Sequence, residues 1–338
     1  MRRTAFLLTA AATTAALALP TARAEAATLG GWNTPEQRAV VRAGLLPKLA
    51  DGRFHGEAPL TGAQLAGALG AVAARAGQAP LAGGSSATVT VTSFDARLVD
   101  QLGLSDVARH VQDTAGAAGL RPPRTFGTEV VARYLGLRDD HPAPDEKLEL
   151  YPWDPITRAE AAHSLATILH SGEWAVEGAR AQLSALTLPR YDAAQRTALS
   201  LAASKIGMPY VWGGETDAVS SQFGYQAHGG YDCSGFVWRV FKLSGNPAGA
   251  RIGGRTAAQM AGEIAKRQRI RLDAVQPGDL LFFGSASFKG RASERSVIHV
   301  GIALSPHWMI HSSGQGVYVS SLDDPWRRDE FAWARRVL

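Results

Sequence analysis

A short segment, GGYDCSGFVWRVF at residues 229–241, contains the only cysteine of the 338-residue chain. Its two glycines favour a turn. The apolar residues that follow recur with the spacing of one helical face, namely Phe236, Val237, Val240 and Phe241. A helix with one apolar face buries that face against another element, and a sheet can cover it. The pattern therefore predicts a helix with Cys233 in its first turn, packed on a sheet.

The position of Cys233 in a first helical turn favours a reactive thiolate, because unpaired N–H groups and the helix dipole favour negative charge there. A free thiol with a pKa of about 8.5 is only about 3% ionised at pH 7, whereas a helix N-terminus with a neighbouring imidazolium can lower the pKa to about 4–7. The alternative is that Cys233 is a small buried hydrophobe, as free cysteines often are. A disulfide within the chain is excluded, because there is no second cysteine.

Two downstream histidines could act on this thiol. The run VIHVGIAL at 297–304 has the β-branched and aliphatic residues of a buried strand, and His299 interrupts it. The run WMIHSSGQGVYVSSL at 308–322 predicts a strand, a glycine turn and a second strand, with His311 at the end of the first strand. Antiparallel pairing would place the two imidazoles side by side. We then expect His299 to take the thiol proton and His311 to hold its ring in the useful tautomer.

Two other interpretations of these side chains stay open. Either histidine alone could be a hydrogen-bonded core residue. Cys233 with His299 and His311 also has the residue types of a zinc site, although the sequence lacks a close ligand pair such as C-x-x-C or H-x-x-x-H. We expect no metal and no other cofactor.

Residues 1–24 have the features of a secretory signal peptide. A basic start is followed by an apolar run and by Ala22-Arg23-Ala24, which has the small-x-small form of a cleavage site. The apolar run is too short for a membrane anchor and ends at Pro20. The Arg2-Arg3 pair leaves open whether export uses the general or the twin-arginine route. We therefore expect a secreted, extracellular protein without a membrane span in its mature chain.

The net charge argues against a nucleic-acid-binding protein, and the length allows two domains. The formal net charge of +5 includes the three arginines of residues 1–24, so the remainder is close to neutral. There is no dense Lys/Arg run of the kind that binds phosphate backbones, and we expect no nucleic-acid partner. The length is ample for two domains with separate cores.

The composition changes along the chain. Residues 30–177 are rich in alanine and predict short helices separated by turns, whereas residues 192–338 proceed from helical periodicity to strand-like runs. We place a linker at residues 178–191, where Pro189 discourages helix, and expect Asp192 to cap the helix that follows. The predicted fold class is α+β, with a mostly α-helical domain in front of a domain that packs a helix on an antiparallel sheet.

The helical region has weak internal repetition. Residues 40–72 and 134–169 both run from a helix end through Gly-Leu, a polar loop, a proline and a threonine into an amphipathic helix. A degenerate copy lies at residues 117–137.

The segment PITRAEAAHSLA, with Thr157, Arg158 and Glu160, resembles the start of the second helix of S-layer homology modules. The resemblance implies noncovalent attachment to a cell-wall polymer, with Arg158 as the contact, and the other two copies lack this arginine. Alternatively, Thr157 is an ordinary N-cap with Glu160 completing a capping box, and Arg158 is a solvated charge.

Seven segments of the C-terminal region carry a second resemblance: MPYVWGG (208–214), YDCSGFV (231–237), RTAAQM (255–260), VQPGDLLFF (275–283), IHVGIAL (298–304), MIHSSG (309–314) and ARRV (334–337). In this order, from about Asp192 to Leu338, they resemble the NlpC-type, papain-like cysteine peptidases that cut peptidoglycan stem peptides. Any one segment would be a weak signal, whereas the joint match is specific.

The resemblance implies roles for individual residues. Cys233 would be the nucleophile, His299 the general base and His311 the orienting residue. Tyr210 matches a tyrosine whose hydroxyl is expected near the oxyanion, where a phenol donor can stabilise developing charge. The alternative for Tyr210 is aromatic core packing beside Trp212.

Asp232 and Ser234 align with residues that are expected to touch substrate, although Asp232 would also suit a helix N-cap. Two longer segments, 215–231 and 284–296, flank the presumed cleft and are expected to shape substrate access.

The sequence thus predicts a secreted wall hydrolase that binds peptidoglycan stem peptides or muropeptides. The resemblance implies cleavage of the bond between γ-D-glutamate and a diamino acid through an acyl-enzyme intermediate. Two alternatives remain. One is a noncatalytic wall-binding protein, and the other is a papain-like amidase or acyltransferase on another amide or ester, since the same nucleophile and base serve any acyl transfer.

Overall fold

A computed structural model describes residues 32–75, 84–220 and 226–338. The predicted signal peptide, residues 1–24, lies outside these ranges. In the described part of the N-terminal region there are six α-helices: α1 (Thr34–Arg42), α2 (Gly62–Arg75), α3 (Val91–Gln101), α4 (Ser105–Ala117), α5 (Phe126–Tyr134) and α6 (Arg158–Ser184). A 3₁₀ turn at Ala143–Leu148 lies between α5 and α6. None of the described helices is long and apolar enough to cross a membrane.

Three short extended segments lie directly before α2, α3 and α6 and pair with one another. Their isolated antiparallel bridges are Pro59 with Thr157, Thr61 with Thr88, and Thr90 with Pro155. The threonines that cap the three helices are Thr61, Thr90 and Thr157. Each of them pairs with a residue that lies two positions before the capping threonine of another segment. Each of the three segments therefore pairs with both of the others.

The middle copy of the repeat therefore begins at Thr88. The sequence pattern had placed it within residues 117–137, and this prediction is wrong. Threonine stands there in place of the proline that marks the other two copies, which is why the pattern did not reveal it. The resemblance of this region to S-layer homology modules stays a prediction.

Arg158 is buried in the core of the helical region. It is 1% exposed, and its guanidinium donates to the carbonyl oxygens of Phe54 (2.8 Å) and Pro47 (2.6 Å). The guanidinium carbon also lies 4.6 Å from the centroid of the Phe54 ring. The expectation that Arg158 contacts a wall polymer is therefore corrected, and so is the alternative of a solvated charge, because the side chain belongs to the core of the helical region.

The neighbouring cap forms only in part. Thr157 accepts a hydrogen bond from the N–H of Glu160 at 3.2 Å, as an N-cap does. The Glu160 carboxylate does not return this bond, because one of its oxygens lies 3.0 Å from Nε2 of His141.

The junction between the two regions, residues 178–191, contains helix and buried side chains and is not an extended linker. Helix α6 breaks at Gly172, where φ is 64°, but continues to Ser184. Residues 178–184 of the predicted linker are thus helical, because Ala179 and Leu183 are buried one turn apart and no proline interrupts them. Tyr191 is also buried, and its hydroxyl donates to the carbonyl of Leu304 at 2.9 Å.

The C-terminal region combines helices with a five-stranded antiparallel sheet. Its described α-helices are α7 (Ala193–Ala203), α8 (Cys233–Trp238), α9 (Ala257–Gly262) and α10 (Pro325–Glu330). Its described strands are β1 (Glu215–Thr216), β2 (Gly230–Tyr231), β3 (Leu280–Phe283), β4 (His299–Ala303), β5 (Trp308–Ser313), β6 (Gly316–Ser321) and β7 (Phe331–Arg335). The sheet order is β6-β5-β4-β3-β7, and β1 pairs separately with β2. The α+β class and the β5–β6 hairpin are as predicted.

Both faces of the sheet are covered. All four residues of β3 are buried, which requires apolar neighbours on either side. One face packs on α8 and the turn after it, and the predicted apolar face of this segment is fully buried: Phe236, Val237, Val240 and Phe241 are each 0% exposed. Asp192 caps α7 through a capping box with Gln195, as expected.

The helical region contacts the C-terminal region at several points. Arg133 of α5 donates to the carbonyl of Gly207 at 2.6 Å and to the carbonyl of Gln315 in the β5–β6 turn. The Tyr151 hydroxyl donates to the carbonyl of Asp217 at 2.8 Å. The ring of His228 lies 4.2 Å from that of Tyr151, so the described part of segment 215–231 packs on the helical region.

Candidate active site

Cys233 is the first residue of α8. Asp232 is the N-cap, and its carboxylate accepts a hydrogen bond from the N–H of Gly235. Helix α8 packs against β4 and β5, the two strands that carry the histidines. The backbone amides of Ser234 and Val300 interact with the Cys233 sulfur, so the thiol lies beside the residue that follows His299.

The two histidines are hydrogen-bonded to each other. Nε2 of His299 lies 2.9 Å from Nδ1 of His311, and Nε2 of His311 lies 2.9 Å from Oγ of Ser320. The β4–β5 register pairs Ile302 with Ile310, which places Gly301 opposite His311 when it is extended by one residue. A Cβ at position 301 would lie 3.2 Å from that of His311. A side chain at position 301 would therefore press on the side chain of His311, which the glycine avoids.

Only one placement of the protons in the series His299–His311–Ser320 leaves a ring nitrogen of His299 free to accept the thiol proton. If His311 Nε2–H donates to Ser320, then His311 Nδ1 is an acceptor and His299 Nε2–H must donate to it. The second nitrogen of His299, Nδ1, then has a free lone pair. Orientation by His311 therefore makes His299 a proton acceptor, which is the role of the third residue in a nucleophile–base set.

Both imidazoles are held in the neutral form. Burial, and secondarily the positive charge of Arg327, lower the pKa of His299 to about 3. Burial also lowers the pKa of His311 well below its usual value, with contributions from His299 and Arg327. At neutral pH, His299 is therefore an unprotonated base.

The thiol is also neutral, which corrects the expectation of a resting thiolate. Burial is the largest effect on Cys233, and together with the negative charge of Asp232 it raises the pKa of the thiol to about 12. The amides of Val300 and Ser234 lower the pKa, but by less. The favourable helix terminus is thus outweighed by burial, and a base would have to take the proton before the sulfur could act as a nucleophile.

Tyr210 borders the same cleft as Cys233. Burial, followed by the proximity of Cys233 and Asp232, raises the pKa of its phenol, which therefore stays a hydrogen-bond donor. The alternative of core packing beside Trp212 does not describe this position, because Trp212 is 73% exposed.

Asp232 and Ser234 are joined by an arginine that the sequence did not mark as functional. Arg255 is 5% exposed, donates to Ser234 Oγ at 2.8 Å and to Glu215 at 2.8 Å, and lies 3.3 Å from Asp232. Asp232 and Ser234 border the cleft, but their polar atoms are engaged in this network. The available signal was that Arg255 opens the segment RTAAQM.

The cleft has a volume of about 510 Å³. Its described lining residues are Tyr210, Trp212, Gly213, Asp232, Cys233, Ser234, Thr256, Ala257, Glu294, Val297 and Ile298. Segment 284–296 reaches the cleft through Glu294, as expected of a segment that shapes access. The described residues of segment 215–231 do not line it.

The region that contains the cleft is similar to a known protein family. Residues 207–336 match the NlpC/P60 family. A γ-D-glutamyl-L-lysine dipeptidyl-peptidase of Bacillus subtilis is 31% identical over 136 residues, which cover 39% of this chain and 38% of that protein. A probable peptidoglycan endopeptidase of the same organism, LytE, is 30% identical over 138 residues, which cover 41% of this chain and 33% of that protein.

A crystal structure of an NlpC/P60 family protein from Bacillus cereus has 28% sequence identity and a TM-score of 0.32, covering 44% of this chain and 41% of its own. The matched part of this chain spans 38% and 33% of the length of the two curated relatives above. The family match covers residues 207–336, the region that contains the cleft, and this region resembles an NlpC/P60 domain.

Proposed function

We propose that this protein is a cysteine endopeptidase that hydrolyses peptidoglycan stem peptides at the bond between γ-D-glutamate and the diamino acid. The observation that carries the proposal is that Cys233 lines the cleft, while its helix packs on the two strands that carry neutral His299 and its hydrogen-bonded partner His311. The names of the relatives, a γ-D-glutamyl-L-lysine dipeptidyl-peptidase and a probable peptidoglycan endopeptidase, support this substrate class.

Acylation begins with the thiol proton. Nδ1 of His299 takes it as the Cys233 sulfur attacks the carbonyl carbon of the scissile amide. The carbonyl π electrons move to oxygen, and the resulting oxyanion can accept hydrogen bonds from the Tyr210 hydroxyl and the Cys233 backbone N–H. One such donor is worth about 3 kcal/mol in other acyl-transfer enzymes.

Collapse of this intermediate breaks the C–N bond. Burial makes protonated His299 a strong acid, so it gives its proton to the leaving amine and returns to the neutral form. The acyl half remains as a thioester on Cys233. Water then attacks the thioester with His299 as base, and the protonated imidazole returns a proton to sulfur.

The site of action is also part of the proposal. The basic start, apolar run and small-x-small motif of residues 1–24 support export, which would bring the protein to the cell wall. The helical region would then hold the NlpC/P60 domain in place through the contacts of Arg133 and Tyr151.

The test is product analysis with a defined stem peptide, L-Ala-γ-D-Glu-L-Lys-D-Ala, and the corresponding muropeptide. We expect mass spectrometry to show L-Ala-γ-D-Glu and L-Lys-D-Ala as products. Cleavage at another amide would favour the amidase alternative. No cleavage, with retention of the protein on insoluble cell wall, would favour a noncatalytic binding protein.

A further inference from the structure

The charges that line the cleft are unequally compensated. Two of the described lining residues are acidic, Asp232 and Glu294. Asp232 lies 3.3 Å from the guanidinium of Arg255, which offsets its charge. Within residues 32–75, 84–220 and 226–338, no cationic side chain forms an ion pair with Glu294. The cleft therefore has one negative charge available for a ligand.

The Glu294 carboxylate is held in place by one oxygen. Thr256 Oγ1 donates to Oε1 of Glu294 at 2.6 Å, and the same hydroxyl accepts from the N–H of Gln259 as the N-cap of α9. The other oxygen, Oε2, makes no hydrogen bond to the described residues. A carboxylate that is oriented at one oxygen and open at the other is suited to bind an N–H donor of a substrate.

The chain order indicates which part of a substrate lies near Glu294. Glu294, Val297 and the 63%-exposed Ile298 all line the cleft and lead directly into His299. The group that protonates the departing amine must lie beside it, and His299 has this role in the proposed reaction. The residue whose amine leaves therefore extends along the segment that carries Glu294.

We infer that Glu294 is a specificity-determining residue that binds the side-chain ammonium of the residue on the leaving side. The inference rests on the proposed function and deepens it. The preferred leaving residue has an aliphatic stem that ends in a primary ammonium, as in lysine or another diamino acid. Ile298 and Ala257 offer apolar surface to the stem, and the open oxygen of Glu294 accepts from the ammonium.

The test compares two tetrapeptides that differ only in the leaving residue, L-Ala-γ-D-Glu-L-Lys-D-Ala and its norleucine analogue, which lacks the ammonium. The readout is the ratio of kcat/KM for lysine over norleucine. We expect a ratio of about ten for the parent protein at low ionic strength. The ratio should approach one in Glu294→Gln, fall below one in Glu294→Lys, and decrease for the parent in 1 M salt.

The matched control is Glu177→Gln, which removes an exposed carboxylate of the helical region and should keep the parent ratio. A parent ratio near one, or an unchanged ratio in Glu294→Gln, would overturn the inference while leaving the hydrolase proposal intact. Failure of the parent to cleave either peptide would instead overturn the proposed function and the inference with it.

Discussion

The imidazole of His299 contacts that of His311 through a 2.9 Å nitrogen–nitrogen hydrogen bond, with the ring planes at 81° to each other. His311 is fully buried, and its other nitrogen is engaged by Ser320. Its orientation is therefore fixed by the sheet, and it imposes that orientation on His299. In the proposed reaction neither ring would have to turn before His299 accepts the thiol proton.

His311→Ala should lower kcat by about 10²–10⁴-fold with little change in KM, because the nucleophile remains while the base loses its tautomer control. Steady-state kinetics on the lysine tetrapeptide measure this loss. Ser320→Ala should lower kcat by less than His311→Ala does. It removes only the hydroxyl that accepts a hydrogen bond from His311 Nε2–H and leaves both imidazoles in place. A folded His311→Ala variant with parent kcat would contradict the orienting role.

The reactivity of Cys233 should show a neutral resting thiol. Only the thiolate reacts with iodoacetamide, and a thiol pKa of about 12 means that the thiolate fraction grows with pH throughout the measurable range. We expect the alkylation rate to rise about tenfold per pH unit from pH 6 to 10. The denatured chain is the control, and its rate should level off above about pH 9. A plateau in the folded protein below pH 7 would show a thiolate–imidazolium pair instead.

Arg255→Lys should destabilise the domain, because a single ammonium cannot serve Glu215, Asp232 and Ser234 together. Breaking a buried charge network of this kind costs about 3–5 kcal/mol in free energy of unfolding. Urea denaturation measures the loss, and Arg267→Lys, at an exposed position, is the matched control. Equal stability of the two variants would contradict the role of Arg255 in fixing Asp232 at the start of α8.

Arg133→Met should uncouple the helical region from the NlpC/P60 domain. The change removes the donors to Gly207 and Gln315 and leaves buried Glu129 without its neighbouring guanidinium. Calorimetry should then show two separate transitions, with exposed Arg124→Met as the control. An unchanged transition in Arg133→Met would show that these hydrogen bonds do not join the two regions.

The parts of the site that the sequence predicted depend on local patterns. The apolar spacing after Cys233 specified both the start of α8 and its buried face, because helical periodicity is a short-range signal. The strand–turn–strand pattern around the glycines likewise predicted the β5–β6 hairpin and the position of His311. Antiparallel pairing of β5 with β4 then brought His311 and His299 together, as the sequence predicted.

The remaining features depend on packing between distant segments. Arg158 was expected at a surface, but Phe54 and Pro47 enclose it from more than 100 residues away. The ionisation of Cys233 was predicted from the helix terminus alone, whereas burial against β4 has the larger effect on its pKa. Periodicity contains no information on either contact, so these expectations failed.

The most direct test of the central claim is the rate at which Cys233→Ala releases L-Lys-D-Ala from the stem tetrapeptide. If the sulfur of Cys233 forms the acyl-enzyme, the rate should fall at least about 10⁴-fold while circular dichroism shows an intact fold. A folded Cys233→Ala protein that hydrolyses the peptide at the parent rate would contradict the assignment of the nucleophile.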